Sequence, residues 1–170
     1  MLLTLRIIHI LAAGVLVGSV IFNYFLLRPA LRLIPPAHAV VVAQRVGNLF
    51  TYTGWTTLGL LFLSGLLRLG DPSIILKLDF YTSGYGRSLG MMIIFWLLTV
   101  VSSTIMTFTL RPKLMKKLSV SSNPTLADVE KRRADQMYAS TWMDRLQLAN
   151  VITATLALVA GASIAFGGLF

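Results

Sequence analysis

The sequence predicts an all-α membrane protein, a four-transmembrane-helix bundle forming one integral domain over residues 1–170. Three observations predict it. First, 56% of the residues are hydrophobic and only 12% are charged, against roughly 25% charged in a soluble domain. Second, the apolar residues come in four long runs, at 3–27, 48–67, 88–110 and 146–169. A run of about 20 apolar residues crosses a hydrocarbon core of about 30 Å. Third, the net charge of +9 is unevenly spread. The segments that follow the first and third runs, with their flanks, hold Arg28, Arg32, Arg45, Arg111, Lys113, Lys116, Lys117, Lys131, Arg132, Arg133 and Arg145. The opposite side holds only Arg6, Arg68, Lys77 and Arg87. The positive-inside rule then puts the basic loops in the cytoplasm and both termini outside.

The elements follow in order. The first run reads RIIHILAAGVLVGSVIFNYFLLRP over 6–29. It is far longer than the 7–15 apolar residues of a signal-peptide core, and Arg28 and Arg32 separate it from the triplet Ala37-His38-Ala39, so it is expected to be retained. Arg28-Pro29 is expected to end it, and Pro35-Pro36 blocks a helix through the next loop. A second helix is expected from about Ala37 to Leu67, longer than one crossing, with Tyr52 and Trp55 in the aromatic belt at its cytoplasmic entrance. The loop GDPSIILKLDFYTSGYG (70–86) opens on an Asp-Pro turn and has an apolar centre, which suits the outer membrane surface or a partner. The third crossing follows Arg87 and ends at Arg111-Pro112.

A cytoplasmic helix is expected over 124–144. Asn123 supplies a cap and Pro124 the first helical position. Asp128–Arg132 and Lys131–Asp135 add i,i+4 pairs. This helix leads into the fourth crossing, whose TATLALVAGASIAFGG (153–168) is rich in small residues that let helices approach closely in lipid. Gly14 and Gly18 suggest a similar face on the first crossing.

The chain also shows signs of a duplicated two-helix hairpin. SVIFNYFLLRPAL (19–31) aligns without gaps on SSTIMTFTLRPKL (102–114), matching Ser19/Ser102, Phe25/Phe108, Leu27/Leu110, Arg28/Arg111, Pro29/Pro112 and Leu31/Leu114. The following crossings match more weakly, with Arg45 against Arg145 and Thr53 against Thr153. Two hairpins of equal orientation suggest a pseudo-two-fold axis along the membrane normal, as in parallel transporter repeats. The same alignment puts His9 opposite Met92.

Several chemistries drop out. There is no cysteine, which excludes disulfides, thiolate-held iron–sulfur clusters and c-type haem attachment. All six acids lie in loops or at helix ends, so no acidic pair sits within a crossing. No phosphate loop, zinc spacing or nucleophile–base pair occurs, so no catalytic residues are assigned and the balance leans away from an enzyme. The basic excess reads as topology and lipid contact, and no nucleic-acid partner is implied.

His9 remains. An ionisable residue in a crossing is by default a functional hypothesis. It could pack against a neighbouring helix, bind a metal or haem, or relay protons. Met91 and Met92 begin the third crossing as His9 begins the first. Imidazole and thioether together suit Cu(I), although methionines also fill irregular gaps. His38 lies in the cytoplasmic loop, on the other side from His9, so the two cannot ligate one haem within a chain. A single-histidine haem, or one shared between subunits, stays open. Asn23, Tyr24, Arg45, Asn48, Tyr52, Gln147 and Asn150 gather at the cytoplasmic ends and read as packing and interfacial contacts.

A histidine early in the first crossing, then small residues, then an aromatic-rich end closing in LLRPAL resembles the copper-resistance protein D (CopD) family. The resemblance implies a helical protein of the bacterial inner membrane, with copper or haem b as the cofactor and His9 as the ligand. Two departures stand out. Family members often carry tryptophan before a glycine where this chain has Val17-Gly18. The related HemJ-type protoporphyrinogen oxidases have a lysine in the third crossing, where this chain reads GRSLGMMIIFW. Two functions are therefore expected: copper or haem handling through His9, helped by Met91 or Met92, or a non-catalytic accessory subunit of a larger membrane complex. The implied partners are the lipid bilayer and either larger subunits or a second copy.

Overall fold

A computed structural model describes residues 2–115 and 126–168, and all regular structure among them is helical. Helix α1 (Leu2–Ile21) passes through a π-helical stretch, Phe22–Leu27, into the single turn α2 (Arg28–Leu31). Helix α3 is Pro36–Leu69. Helix α4 (Gly84–Thr104) passes through a second π-helical stretch, Ile105–Leu110, into α5 (Arg111–Met115). Helix α6 is Leu126–Ser163. Among the described residues three stretches are long and apolar enough to cross a membrane: Leu3–Leu31, Gly84–Leu114 and Leu126–Phe166. The run expected as the second crossing lies within α3. It is long enough, but Thr51, Thr53, Thr56, Thr57, Gly54 and Gly59 dilute its apolar residues.

The Arg-Pro dipeptides do not stop their helices as expected. A proline ring presses on the carbonyl four residues back and offers no N–H. Here the turn before each proline is widened, which accommodates the ring without breaking the helix. The Arg28 N–H bonds the Asn23 carbonyl and the Arg111 N–H bonds the Met106 carbonyl, each five residues back. The two π stretches are offset by 83 residues (105 − 22 and 110 − 27). That is the offset of the aligned sequence segments.

Pro35 is extended (ψ 140°) and Pro36 opens α3, as a proline at the first helical position does. Gly70, at φ +70°, ends α3. The loop beyond it forms two short 3₁₀ turns, Pro72–Leu76 and Leu78–Thr82. Asp71 caps the first by accepting the Ser73 N–H at 2.9 Å. Hydrogen bonding from Ser73, side chain first and backbone second, holds the Asp71 carboxyl below its usual range. The Tyr81 hydroxyl donates to the Ile75 carbonyl at 2.8 Å and ties the two turns together. The loop lies so close to α4 that a Cβ on buried Gly86 would collide with the Phe80 carbonyl. Leu76 and Leu78 stay 85% and 86% exposed.

Helix α1 packs antiparallel to α3, and α4 antiparallel to α6. At one end His9 meets Ser64 and Ser88 meets Ser163. At the other Phe22 meets Phe50 and Ser102 meets Asn150. Ala12, Leu16, Leu58 and Leu61 form the core cluster of α1 and α3, with Trp55, Trp96 and Val100 against it. The α4–α6 seam is built differently, from buried Ser88, Thr99, Ser102, Asn150, Ala154 and Ala160. Small residues on α6 thus serve close packing as expected. Gly14 and Gly18 do not: both are exposed, with nothing near their missing side chains. The expected cytoplasmic helix and fourth crossing are one continuous α6. Its 38 residues span about 57 Å at 1.5 Å per residue, well beyond a hydrocarbon core. The expected start at Asn123-Pro124 lies outside the described residues, as do Lys116 and Lys117.

Candidate functional site

His9 lies two turns into α1, half-buried, with its ring against Gly65 of α3. A Cβ at Gly65 would sit in van der Waals contact with the ring, 3.5 Å from the imidazole Cε1. His9 Nδ1 is 2.7 Å from the Ser64 hydroxyl oxygen, and that oxygen is 2.5 Å from the Leu60 carbonyl. The donor and acceptor roles in the His9–Ser64 contact depend on the imidazole tautomer. With the serine proton given to the Leu60 carbonyl, the serine oxygen accepts from His9 and Nδ1 carries the ring proton. Nε2 keeps its lone pair. A hydrogen bond at one ring nitrogen that fixes the tautomer and leaves the other as a donor atom is the arrangement of a metal-ligating histidine.

Met92 sits at the same end of the bundle but on the other helix pair. Its sulfur lies against Gly161 of α6, 3.2 Å from where a Cβ would stand. Met91 is exposed. His9 is therefore held on α3 and Met92 on α6, and the structure gives the three predicted ligands separate surroundings. Among the described residues no three His, Cys, Asp or Glu side chains come together. His38 is exposed near the start of α3. It precedes Ser64 by 26 residues on that helix (64 − 38), about 39 Å of helix. One haem cannot take both histidines of a chain.

The opposite end carries the repeated arginines. Arg28 forms an ion pair with Asp144 of α6. Arg111 donates to the Asn48 side-chain carbonyl and, at 2.6 Å, to the Thr51 hydroxyl, both on α3. Asp144 and Asn48 thus serve as arginine partners. This end also holds a small cavity of about 60 Å³ lined by Val20, Asn23, Met106, Gln147 and Asn150. Asn23 and Met106 are the residues whose carbonyls close the two π turns. Asn150 accepts from Ser102 and donates to Ser103 at 3.1 Å. The Gln147 side-chain oxygen is buried without a hydrogen-bond partner.

The sequence pointed to His9 but not to Ser64, the residue that orients it. A serine in an apolar run was the available signal, but helix pairing decides which serine meets the imidazole. Thr99 and Thr153, 2.8 Å apart across the α4–α6 seam, were likewise unforeseen as a pair.

No protein-family model, curated protein or solved structure matches the chain.

Proposed function

We propose that this chain is a four-crossing membrane protein of CopD-like type, built from a duplicated hairpin, that binds copper or haem b through His9 Nε2. The observation that carries the ligand assignment is the contact of His9 Nδ1 with Ser64, whose hydroxyl also meets the Leu60 carbonyl; in the tautomer with the proton on Nδ1, Nε2 is left to donate its lone pair. His9 would hold a haem b through Nε2, and the haem would supply one-electron chemistry. A copper ion would need further donors; Met91 and Met92 are the soft candidates at the same end, but a shift of α4 toward α1 would be needed to bring either to His9, which rests on Gly65 while Met92 rests on Gly161. In this reading α3 is the fourth crossing, since it packs along α1. The shared 83-residue offset of the π stretches supports the duplication. In this reading the arginine end, where the basic residues gather, faces the cytoplasm and the His9 end faces outward, and the CopD-like resemblance implies that the membrane is a bacterial inner membrane.

The test is metal analysis with a visible absorption spectrum on protein extracted gently from its membrane. Copper or a haem Soret band near one equivalent, lost in His9→Ala and weakened in Ser64→Ala, is the expected result. Unchanged cofactor content in a folded His9→Ala protein overturns the assignment. A second reading, as an accessory subunit, is favoured by the exposed apolar Leu76 and Leu78 on the outer loop. It expects larger subunits to co-purify and no cofactor.

A further inference from the structure

We propose that a groove between the α4–α5 end and α6 binds an anionic phospholipid from the surrounding bilayer. This rests on the membrane reading above. The groove measures about 260 Å³ and runs along the second π stretch. Ile105, Leu110 and Leu146 form its apolar walls, Tyr138 and Trp142 one flank, and Lys113 its rim. Tyr138 and Trp142 are one turn apart on α6, with ring centroids 6.2 Å apart. Each ring holds a cation: Lys113 Nζ lies 5.6 Å from the Tyr138 centroid, and the Arg145 guanidinium 5.6 Å from that of Trp142.

Charge complementarity selects the occupant. A cation on an aromatic face keeps its full charge, because the ring quadrupole does not neutralise it. Among the described residues neither Lys113 nor Arg145 has a carboxylate in ion-pair reach. Asp144, the neighbour of Arg145, is engaged by Arg28. The site therefore joins an apolar trough to Lys113 in its lining and to Arg145 on the Trp142 ring beside it, with tyrosine and tryptophan at the level where a bilayer turns polar. An acyl chain fills the trough, and a phosphate-bearing head with net negative charge answers the cations. The first hairpin lacks this rim: the position aligned with Lys113 is Ala30, and Arg28 is already paired.

The test uses the full chain in lipid nanodiscs of phosphatidylcholine containing a minor fraction of brominated phosphatidylglycerol or brominated phosphatidylcholine. Bromine quenches nearby tryptophan, and a Trp142→Phe variant isolates the Trp142 share of the emission. Brominated phosphatidylglycerol should reach half-quenching at a fraction roughly tenfold lower than brominated phosphatidylcholine. The double variant Lys113→Gln/Arg145→Gln should bring the two lipids together. Equal quenching by both lipids in the unaltered chain, or a preference that survives the double variant, overturns the site. Alkaline carbonate extraction of the native membranes separates the two levels of failure. Release of the chain into the supernatant overturns the membrane reading itself, whereas retention with equal quenching overturns only the lipid site.

Discussion

The tautomer of His9 can be tested without knowing any ligand. The contacts from His9 Nδ1 to Ser64 at 2.7 Å, and from Ser64 to the Leu60 carbonyl at 2.5 Å, run in one direction when the serine donates to the carbonyl: Nδ1–H to Ser64, and Ser64 O–H to Leu60. Moving the ring proton to Nε2 would set the Nδ1 lone pair against a serine oxygen whose proton is committed elsewhere. The forfeited hydrogen bond stabilises by about 1 kcal/mol, which gives a population ratio of roughly five to one before lone-pair repulsion is added. Ser64→Ala removes the acceptor and the preference with it. The assay is nitrogen NMR on ¹⁵N-histidine-labelled protein in nanodiscs. The chain has only two histidines, so a His38→Gln background leaves one imidazole to observe. The expected spectrum shows a protonated Nδ1 and an unprotonated Nε2, moving toward the other tautomer in Ser64→Ala. A protonated Nε2 in the unaltered chain refutes the reasoning. So does a spectrum indifferent to Ser64→Ala. The same substitution should weaken any ligand at Nε2 by about 10–100-fold, as loss of an orienting partner does at metal-bound histidines.

Asn150→Leu removes two bonds between α4 and α6, to Ser102 and Ser103. At about 0.6 kcal/mol for each bond between membrane helices, detergent-titrated unfolding should show a loss near 1 kcal/mol, and an unchanged midpoint would refute the contact. The Arg28–Asp144 pair should give a stabilising coupling of about 1 kcal/mol in a cycle of Arg28→Gln, Asp144→Asn and the double variant; zero coupling would remove it. Asp71, held below its usual range by Ser73, keeps its capping contribution above the ordinary carboxylate pKa and loses it as pH falls through the lower folded value. The Ser73 amide chemical shift should therefore titrate below the range of an unperturbed aspartate, and a midpoint at or above that range contradicts the cap.

The helices were legible because long apolar runs have few alternatives, and the Pro35-Pro36 break before α3 was written in residue type. The ends of α1 and α4 were not. Arg-Pro reads as a stop because proline removes a donor, yet the backbone answered with a five-residue hydrogen bond that no side chain announces. Gly14 and Gly18 carried a packing signal in their spacing, but the structure turns them outward, since which face of an apolar helix meets its neighbour depends on the whole bundle. The His9 site was half legible for the same reason. A lone imidazole in an apolar run stands out. Ser64 is one of several hydroxyl residues in helices, and only the antiparallel register of α1 and α3 selects it.

The repeated arginines bear on the proposed duplication. Arg28 reaches α6 and Arg111, at the aligned position, reaches α3. The two arginines thus reach the second helix of the opposite pair, although not at aligned positions, since Arg28 meets Asp144 and Arg111 meets Asn48 and Thr51. The arginines' own placement is shared, but their chemistry is not. Arg28 meets a carboxylate, whereas Arg111 meets an amide and a hydroxyl. At the far end His9 rests on Gly65, whereas its counterpart Met92 rests on Gly161. Beside the second π stretch Lys113 crowns an aromatic groove, whereas Ala30 occupies the aligned position. Contacts that serve the frame need only preserve geometry, so they recur in both halves. A binding site needs particular donors and charges, so it shows where one half carries what the other lacks. By that criterion the His9–Ser64 pair and the Lys113–Trp142 groove stand out from the scaffold. They lie at opposite ends of the bundle, so the lipid supplied to the groove can be varied without touching the His9 imidazole.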